Sequence, residues 1–171
     1  MEIVGDFQTS VRRALEEIDP NYLAYPGLVV CGTHSPESMD IEDTLEKIKE
    51  VRERGLPFLG ICFGHQLAAI EYARNVMGIP NATSEEFGPT DGDFLVYKLP
   101  RLKVGLHHSG DSFLRSKGES YWNNYEVQPE FIEIWKKDKH FISVQYHPEY
   151  QSSSGNPHPL LALFIDICKP K

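Results

Sequence analysis

The residues with the most chemical content are Cys62, His147 and Glu149. Cys62 sits in Gly60-x-Cys62-x-Gly64, between an apolar run at 57–61 opened by Pro57 and an Ala- and Leu-rich stretch beginning at His65. A cysteine on a sharp strand-to-helix turn needs glycine two residues before and two after, because a side chain would meet the flanking backbone. Such a turn lifts the thiol off the strand end, and the helix N-terminus behind it favours the thiolate. A buried cysteine beside two packing glycines is the alternative for the same five residues. A thiol nucleophile also needs a base, and the base needs a carboxylate to fix its tautomer. The run at 141–150 ends a second apolar strand on His147-Pro148-Glu149, and Pro148 stiffens the path by which imidazole and carboxylate leave it. Together the three side chains have the chemistry of a Cys-His-Glu triad.

The elements that must position them alternate along the first half of the chain. A short strand at Glu2-Ile-Val-Gly precedes a helix over 8–18, with Val11, Ala14, Leu15 and Ile18 on one face, Ser10 as a candidate N-cap and Asp19-Pro20-Asn21 as its stop. A second strand over 27–31 precedes a helix over 41–54, striped by Ile41, Leu45, Ile48 and Val51, with Gly55 just past its end. The central strand, the elbow and a helix over 65–76 follow. Strand and helix alternating in this way imply right-handed crossovers and a parallel sheet. Beyond Asn81 the pattern changes to Gly88-Pro-Thr-Asp-Gly-Asp93 and short strands over 94–99 and 102–106. Tyr125-Glu-Val127 and the run at 131–135 are expected to form a hairpin with 141–146, and a packed helix closes the chain over 159–168. There is no repeat, linker or low-complexity segment. The expectation is one domain over residues 1–171: an α/β, three-layer, flavodoxin-like sandwich with a mostly parallel central sheet and a small antiparallel edge, Cys62 lying at the carboxyl ends of the parallel strands.

Composition narrows the setting. The 171 residues are 40% hydrophobic and 25% charged, with a formal net charge of −8, which argues against nucleic-acid and anionic-membrane partners. No apolar stretch reaches a membrane span of roughly 18–20 residues, and the N-terminus lacks a basic region followed by an apolar one. Three cysteines, Cys31, Cys62 and Cys168, do not suggest a disulfide framework. A reduced, cytoplasmic protein is expected. His107 and His108, with Asp111 and His34, are the residues a metal would use, but neighbouring histidines on a strand face opposite ways. Ser109-Gly-Asp-Ser112 lacks the Gly-Lys-Ser pattern of a phosphate loop. Neither metal nor cofactor is expected.

The elbow and the His-Pro-Glu strand together resemble a class I (triad) glutamine amidotransferase domain. Ala73-Arg-Asn-Val-Met-Gly78, Ser84-Glu-Glu-Phe87, Tyr125-Glu-Val127 and Val144-Gln-Tyr-His-Pro-Glu-Tyr150 are similar to the glutaminase domain of CTP synthase, as is, more loosely, the stretch at 152–164. The resemblance covers nearly the whole chain. It implies Cys62, His147 and Glu149 as the triad, and an oxyanion hole of two backbone N–H groups, from Phe63 and from Gly32 in the loop after the second strand. It also implies Gln66 as a substrate contact and Glu86 as the group that takes the α-ammonium of glutamine.

Two stretches depart from the family pattern. Its Pro-Gly-Gly-x-Gly loop is here Val30-Cys31-Gly32-Thr33-His34, and its carboxylate-binding basic run is Ser120-Tyr-Trp-Asn-Asn124, without Arg or Lys. Asn cannot replace bidentate charge pairing. Trp122, Asn123 and Asn124 are therefore expected to form a neutral pocket suited to an α-carboxylate masked as an amide, ester or peptide, unless Arg115 or Lys117 reaches it. The sequence holds no synthetase domain, so released ammonia needs a synthetase partner or is lost to solvent; homo-oligomerisation is equally open. Three functions fit: a free-standing cysteine hydrolase of a small glutamine-like amide, a non-catalytic regulatory descendant, and a γ-glutamyl or peptide hydrolase with a larger substrate.

Overall fold

The computed structural model describes residues 1–108, 118–129 and 139–170. Its strands are β1 (Glu2–Val4), β2 (Leu28–Val30), β3 (Phe58–Ile61), β4 (Ala82–Ser84), β5 (Asp93–His107), β6 (Glu119–Val127) and β7 (Phe141–Val144). Its helices are α1 (Gln8–Ile18), α2 (Ile41–Glu53), α3 (Phe63–Asn75) and α4 (Pro159–Cys168). Among the described residues no helix is long and apolar enough to cross a membrane.

The central sheet runs β1-β2-β3-β7, every pair parallel. Successive side chains on a strand face opposite ways. Val29, Leu59 and Ile61 accordingly pack with Val11 and Leu15 of α1 and Leu161 and Phe164 of α4. Leu28, Val30 and Phe58 pack instead with Ile48 of α2 and Leu67 and Ile70 of α3. Both faces are covered, so the central strands β2 and β3 carry no polar side chain, and the result is a three-layer α/β sandwich.

Polar contacts tie the layers together. Asp40 caps α2 by accepting the Asp43 N–H at 3.0 Å. Arg52 of α2 donates to both oxygens of the fully buried Glu71 on α3, at 2.7–3.2 Å. His158 Nδ1 accepts the Leu160 N–H at the start of α4, so its Nε2 carries the proton facing Glu119 Oε2 of β6 at 3.0 Å. Ser10 is not the cap of α1. It lies inside the helix and its hydroxyl donates back to the Phe7 carbonyl, while the N–H groups of Asp6 and Phe7 are bound by the Gly32 carbonyl.

The second half of the chain departs from expectation in three ways. The small sheet is separate and mixed, with β4 parallel and β6 antiparallel to β5. β5 is one 15-residue strand with a register shift between Lys98 and Lys103, where Pro100 has no N–H for the ladder. The hairpin between Tyr125–Val127 and the strand at 141 does not form: Val127 pairs with Val96, and β7 joins β3. An apolar strand such as β7 buries most by lying in the covered sheet. The run at 131–135, the turn at 109–112, Arg115 and Lys117 lie outside the described residues.

Candidate active site

The sheet order brings three loops to one edge. Val30 is level with Gly60, and Ile61 with Val144, so the chain leaves β2, β3 and β7 side by side at their carboxyl ends. This is where open α/β sheets bind ligands. Gly32, Cys62 and His147 follow those three strands.

Cys62 is the only non-glycine residue with positive φ among the described residues, at φ 55 and ψ −105. That conformation is costly for an L-residue and persists where the surroundings enforce it. Its N–H donates to the Val144 carbonyl at 2.9 Å, and α3 starts at the next residue, two positions earlier than the sequence pattern suggests. A Cβ at Gly64 would lie 1.9 Å from the Val30 carbonyl oxygen, and one at Gly60 would lie 2.7 Å from that of Gly64. The turn therefore closes only with glycine on both sides. The thiol donates to the Trp122 carbonyl at 3.7 Å, and Gln145 Nε2 donates to the sulfur at 3.7 Å.

His147 is wholly buried, and its N–H donates to the Ser120 carbonyl of β6 at 2.7 Å. Nδ1 lies 2.8 Å from Oε1 of Glu149, which is also buried, while Nε2 has no hydrogen-bond partner. The ring lies flat on Tyr150, centroids 4.7 Å apart, and edge-on to Phe7. Burial alone would push the imidazole pKa down, but Cys62 and then Glu149 outweigh it and hold the group at about 10.

Phe63 is the first residue of α3, and a helix leaves its first N–H groups without an internal acceptor. Gly32 packs against the His147 ring, since a Cβ there would stand 3.1 Å from His147 Cε1 and 2.7 Å from Phe7 Cδ2. Asp6 holds the altered loop: its Oδ2 accepts the Thr33 hydroxyl and, at 3.1 Å, the His34 N–H. Thr33 Oγ1 in turn accepts the Ser35 N–H at 3.0 Å. The Thr33 bond keeps the Asp6 carboxyl below its ordinary range, against the effect of burial.

A cavity of about 120 Å³ opens at the thiol. Thr33, His34, Cys62, Phe63 and Gln66 line one part of it, and Glu86, Trp122, Asn123, Asn124 and Tyr125 the rest. All five expected substrate-binding residues thus converge on Cys62. Gly32, His147 and Glu149 are not among the residues that line it. A larger cavity of about 630 Å³ shares His34 and Glu86 and is also lined by Glu37, Glu42 and Arg74. Burial, then the charge of Glu37, pushes the Glu86 carboxyl up to about 7.

The family model described as Glutamine amidotransferase class-I matches residues 6–167. The chain belongs to the class-I glutamine amidotransferases. It is 31% identical to the CTP synthase of Methanothrix thermoacetophila over 91% of this chain and 35% of that protein. It is 29% identical to the CTP synthase of Thermomicrobium roseum over 99% of this chain and 37% of that protein. The chain thus spans little more than a third of these relatives. The Trypanosoma brucei CTPS glutaminase domain with bound acivicin matches with a TM-score of 0.75 at 20% identity, over 98% of this chain and 92% of that one, a likeness of fold.

Within this domain several residues serve other ends than the sequence suggests. His65 Nδ1 lies 2.9 Å from Ser143 Oγ, a packing contact between α3 and β7. His107 Nε2 contacts the Val104 carbonyl at 3.0 Å, and Asp111 lies outside the described residues. Among the described residues no Lys or Arg lines the smaller cavity. Lys103, opposite Asn123 in the β5–β6 register, pairs with Glu126 Oε1 at 2.7 Å and sits 4.0 Å over the Tyr121 ring. Asp6, Thr33 and Gln145 are the contacts that reading the amidotransferase sequence alone misses. Gln145 has one signal, its place between β7 and the His-Pro-Glu turn.

Proposed function

We propose that this chain is a cysteine-dependent amidohydrolase that cleaves the side-chain amide of glutamine or of a γ-glutamyl compound through a thioester. The Cys62 thiolate attacks the amide carbon, and the carbonyl electron pair moves onto oxygen, held by the Phe63 and Gly32 N–H groups. His147, a cation at neutral pH, gives its Nε2 proton to the departing nitrogen; the C–N bond breaks and ammonia or an amine leaves. Water then attacks the thioester and gives a proton to His147. The C–S bond breaks, releasing the carboxylate and restoring the thiolate. Glu149 orients the imidazole and supports its charge.

The observation that carries this reading is the buried His147–Glu149 pair stationed behind the strained Cys62 turn. Glu86 takes the substrate ammonium. Among the described residues the cavity has no cation for a free α-carboxylate, so the reading extends to substrates in which that group is masked. A synthetase partner would receive the ammonia. The altered loop at 31–34 and the absent basic run favour a second reading, a regulatory subunit that keeps the triad without turnover.

The test is mass spectrometry of the intact protein after a glutamine-mimicking chloroketone, with ammonia release from glutamine, glutamine carboxamide and γ-glutamyl amides, Cys62→Ala serving as blank. One adduct on Cys62 and turnover of masked substrates are expected. Free glutamine turned over at a kcat/KM of about 10⁴ M⁻¹s⁻¹ or more would overturn the masked-carboxylate reading. A readily alkylated Cys62 with no turnover of any amide would establish the regulatory one.

A further inference from the structure

Gln66 and Asn123 are two buried amides that line the cavity, 3% and 5% exposed. Each donates its side-chain nitrogen to the same acceptor, the Tyr125 carbonyl, at 3.0 Å. A carbonyl oxygen only accepts, so this shared contact settles which end of each amide is nitrogen. The same two nitrogens also approach acceptors on the far side, Gln145 Oε1 at 3.5 Å and Glu126 Oε1 at 3.4 Å. The donors of both amides are thus committed within the protein. Their oxygens, Gln66 Oε1 and Asn123 Oδ1, are buried and have no hydrogen-bond partner among the described residues. Buried acceptors left unpaired are rare in folded proteins. Two of them belong here to residues of one small cavity, with the Glu86 carboxyl as a third acceptor.

We infer that Gln66 and Asn123 select a substrate with N–H donors at its α end: a carboxamide beside the α-ammonium, as in glutamine carboxamide or a peptide that begins with glutamine. The inference rests on the hydrolase reading, which places the γ-amide at Cys62. A free carboxylate would set two acceptor oxygens against acceptors, and an ester would bring no donor; a carboxamide supplies the N–H the oxygens lack. The larger cavity shares Glu86 and His34 with the smaller one, so a chain attached to that amide nitrogen has adjoining space to occupy.

The experiment compares ammonia release by the wild-type protein from four compounds: glutamine, glutamine methyl ester, glutamine carboxamide and glutaminyl-glycine carboxamide. Both amides are expected to exceed the ester in kcat/KM by at least about tenfold, and the free acid by more. Asn123→Leu, close in shape but without the acceptor, is expected to bring the amide-to-ester ratio toward one. Gln66→Met carries the same comparison if that variant does not fold. The peptide exceeding the small carboxamide identifies a peptide source, and equality identifies a small amide. An ester handled as well as the amides, or an acid handled better, overturns the inference. Calorimetric binding of the same four compounds to Cys62→Ala separates the two readings. Failure of all turnover sinks the hydrolase, whereas the order of binding still decides donor selection, and binding of none overturns it.

Discussion

His147 Nδ1 lies 2.8 Å from Glu149 Oε1, across a single proline, with both side chains withdrawn from water. Cys62 and then this buried carboxylate support the imidazolium and push its pKa up to about 10, although burial opposes the charge. Glu149→Gln keeps the shape and removes the charge. The expected outcome is a loss of about 10³–10⁴ in kcat/KM for amide hydrolysis. The His147 ring signal, followed by NMR, should also titrate at least about one pH unit lower than in the wild type.

Cys31 and Cys168 are both pushed to about 12 by burial, with the Glu149 charge adding to the effect at Cys31. Cys31 also donates its thiol to the Val4 carbonyl at 3.0 Å. At neutral pH a thiol of that kind holds only about 10⁻⁵ of its population as thiolate. Cys62 lines the cavity and stands at a helix start. Site-resolved alkylation at pH 7 is expected to label Cys62 at least about 10²-fold faster than either of the others. Faster reaction at Cys31 or Cys168 would remove Cys62 as the nucleophile.

The clamp from Asp6 to the loop of Gly32 is testable by Thr33→Val, which deletes the hydroxyl and keeps the branched shape. If the loop presents an oxyanion donor, loosening it should lower kcat by about 10–100-fold, with a smaller change in KM. The rate of Cys62 alkylation should hold, because the elbow is built from β3 and α3. An unchanged kcat would place the second donor elsewhere.

Glu86 titrates near 7, so a substrate that gives it an ammonium should bind about tenfold more weakly at pH 6 than at pH 8. The stability effect runs the other way. A carboxyl raised above its ordinary value holds its proton more tightly in the folded state, so stability falls as pH rises from about 4.5 to 7. Glu86→Gln removes that cost. After allowance for solvent screening, the variant should be more stable than wild type at pH 8 by on the order of 1 kcal/mol, or about 2–4 °C in Tm, and no more stable at pH 4. Paired thermal melts at the two pH values decide it.

The parts legible in the sequence are those encoded by neighbours along the chain. The Gly60-x-Cys62-x-Gly64 turn, the apolar runs that become β1, β2, β3, β7 and α4, and the stripes of α1 and α2 each rest on spacings of four residues or fewer. They suffice for the α/β class and for the resemblance to the class-I amidotransferases. Contacts between distant residues are decided only by the packing of finished elements. Thr33 reaches Asp6 across 27 positions, and Gln66 reaches the Tyr125 carbonyl across 59. Val127 could pair on local propensity with either β5 or the strand at 141; burial of β7 beside β3 leaves it β5. The sequence alone therefore determines the chemical groups and the turn that displays the thiol. Which oxygens of the cavity stay unpaired is set where α3 and β6 meet at the Tyr125 carbonyl, because hydrogen-bond satisfaction belongs to the assembled site and not to any one segment of it.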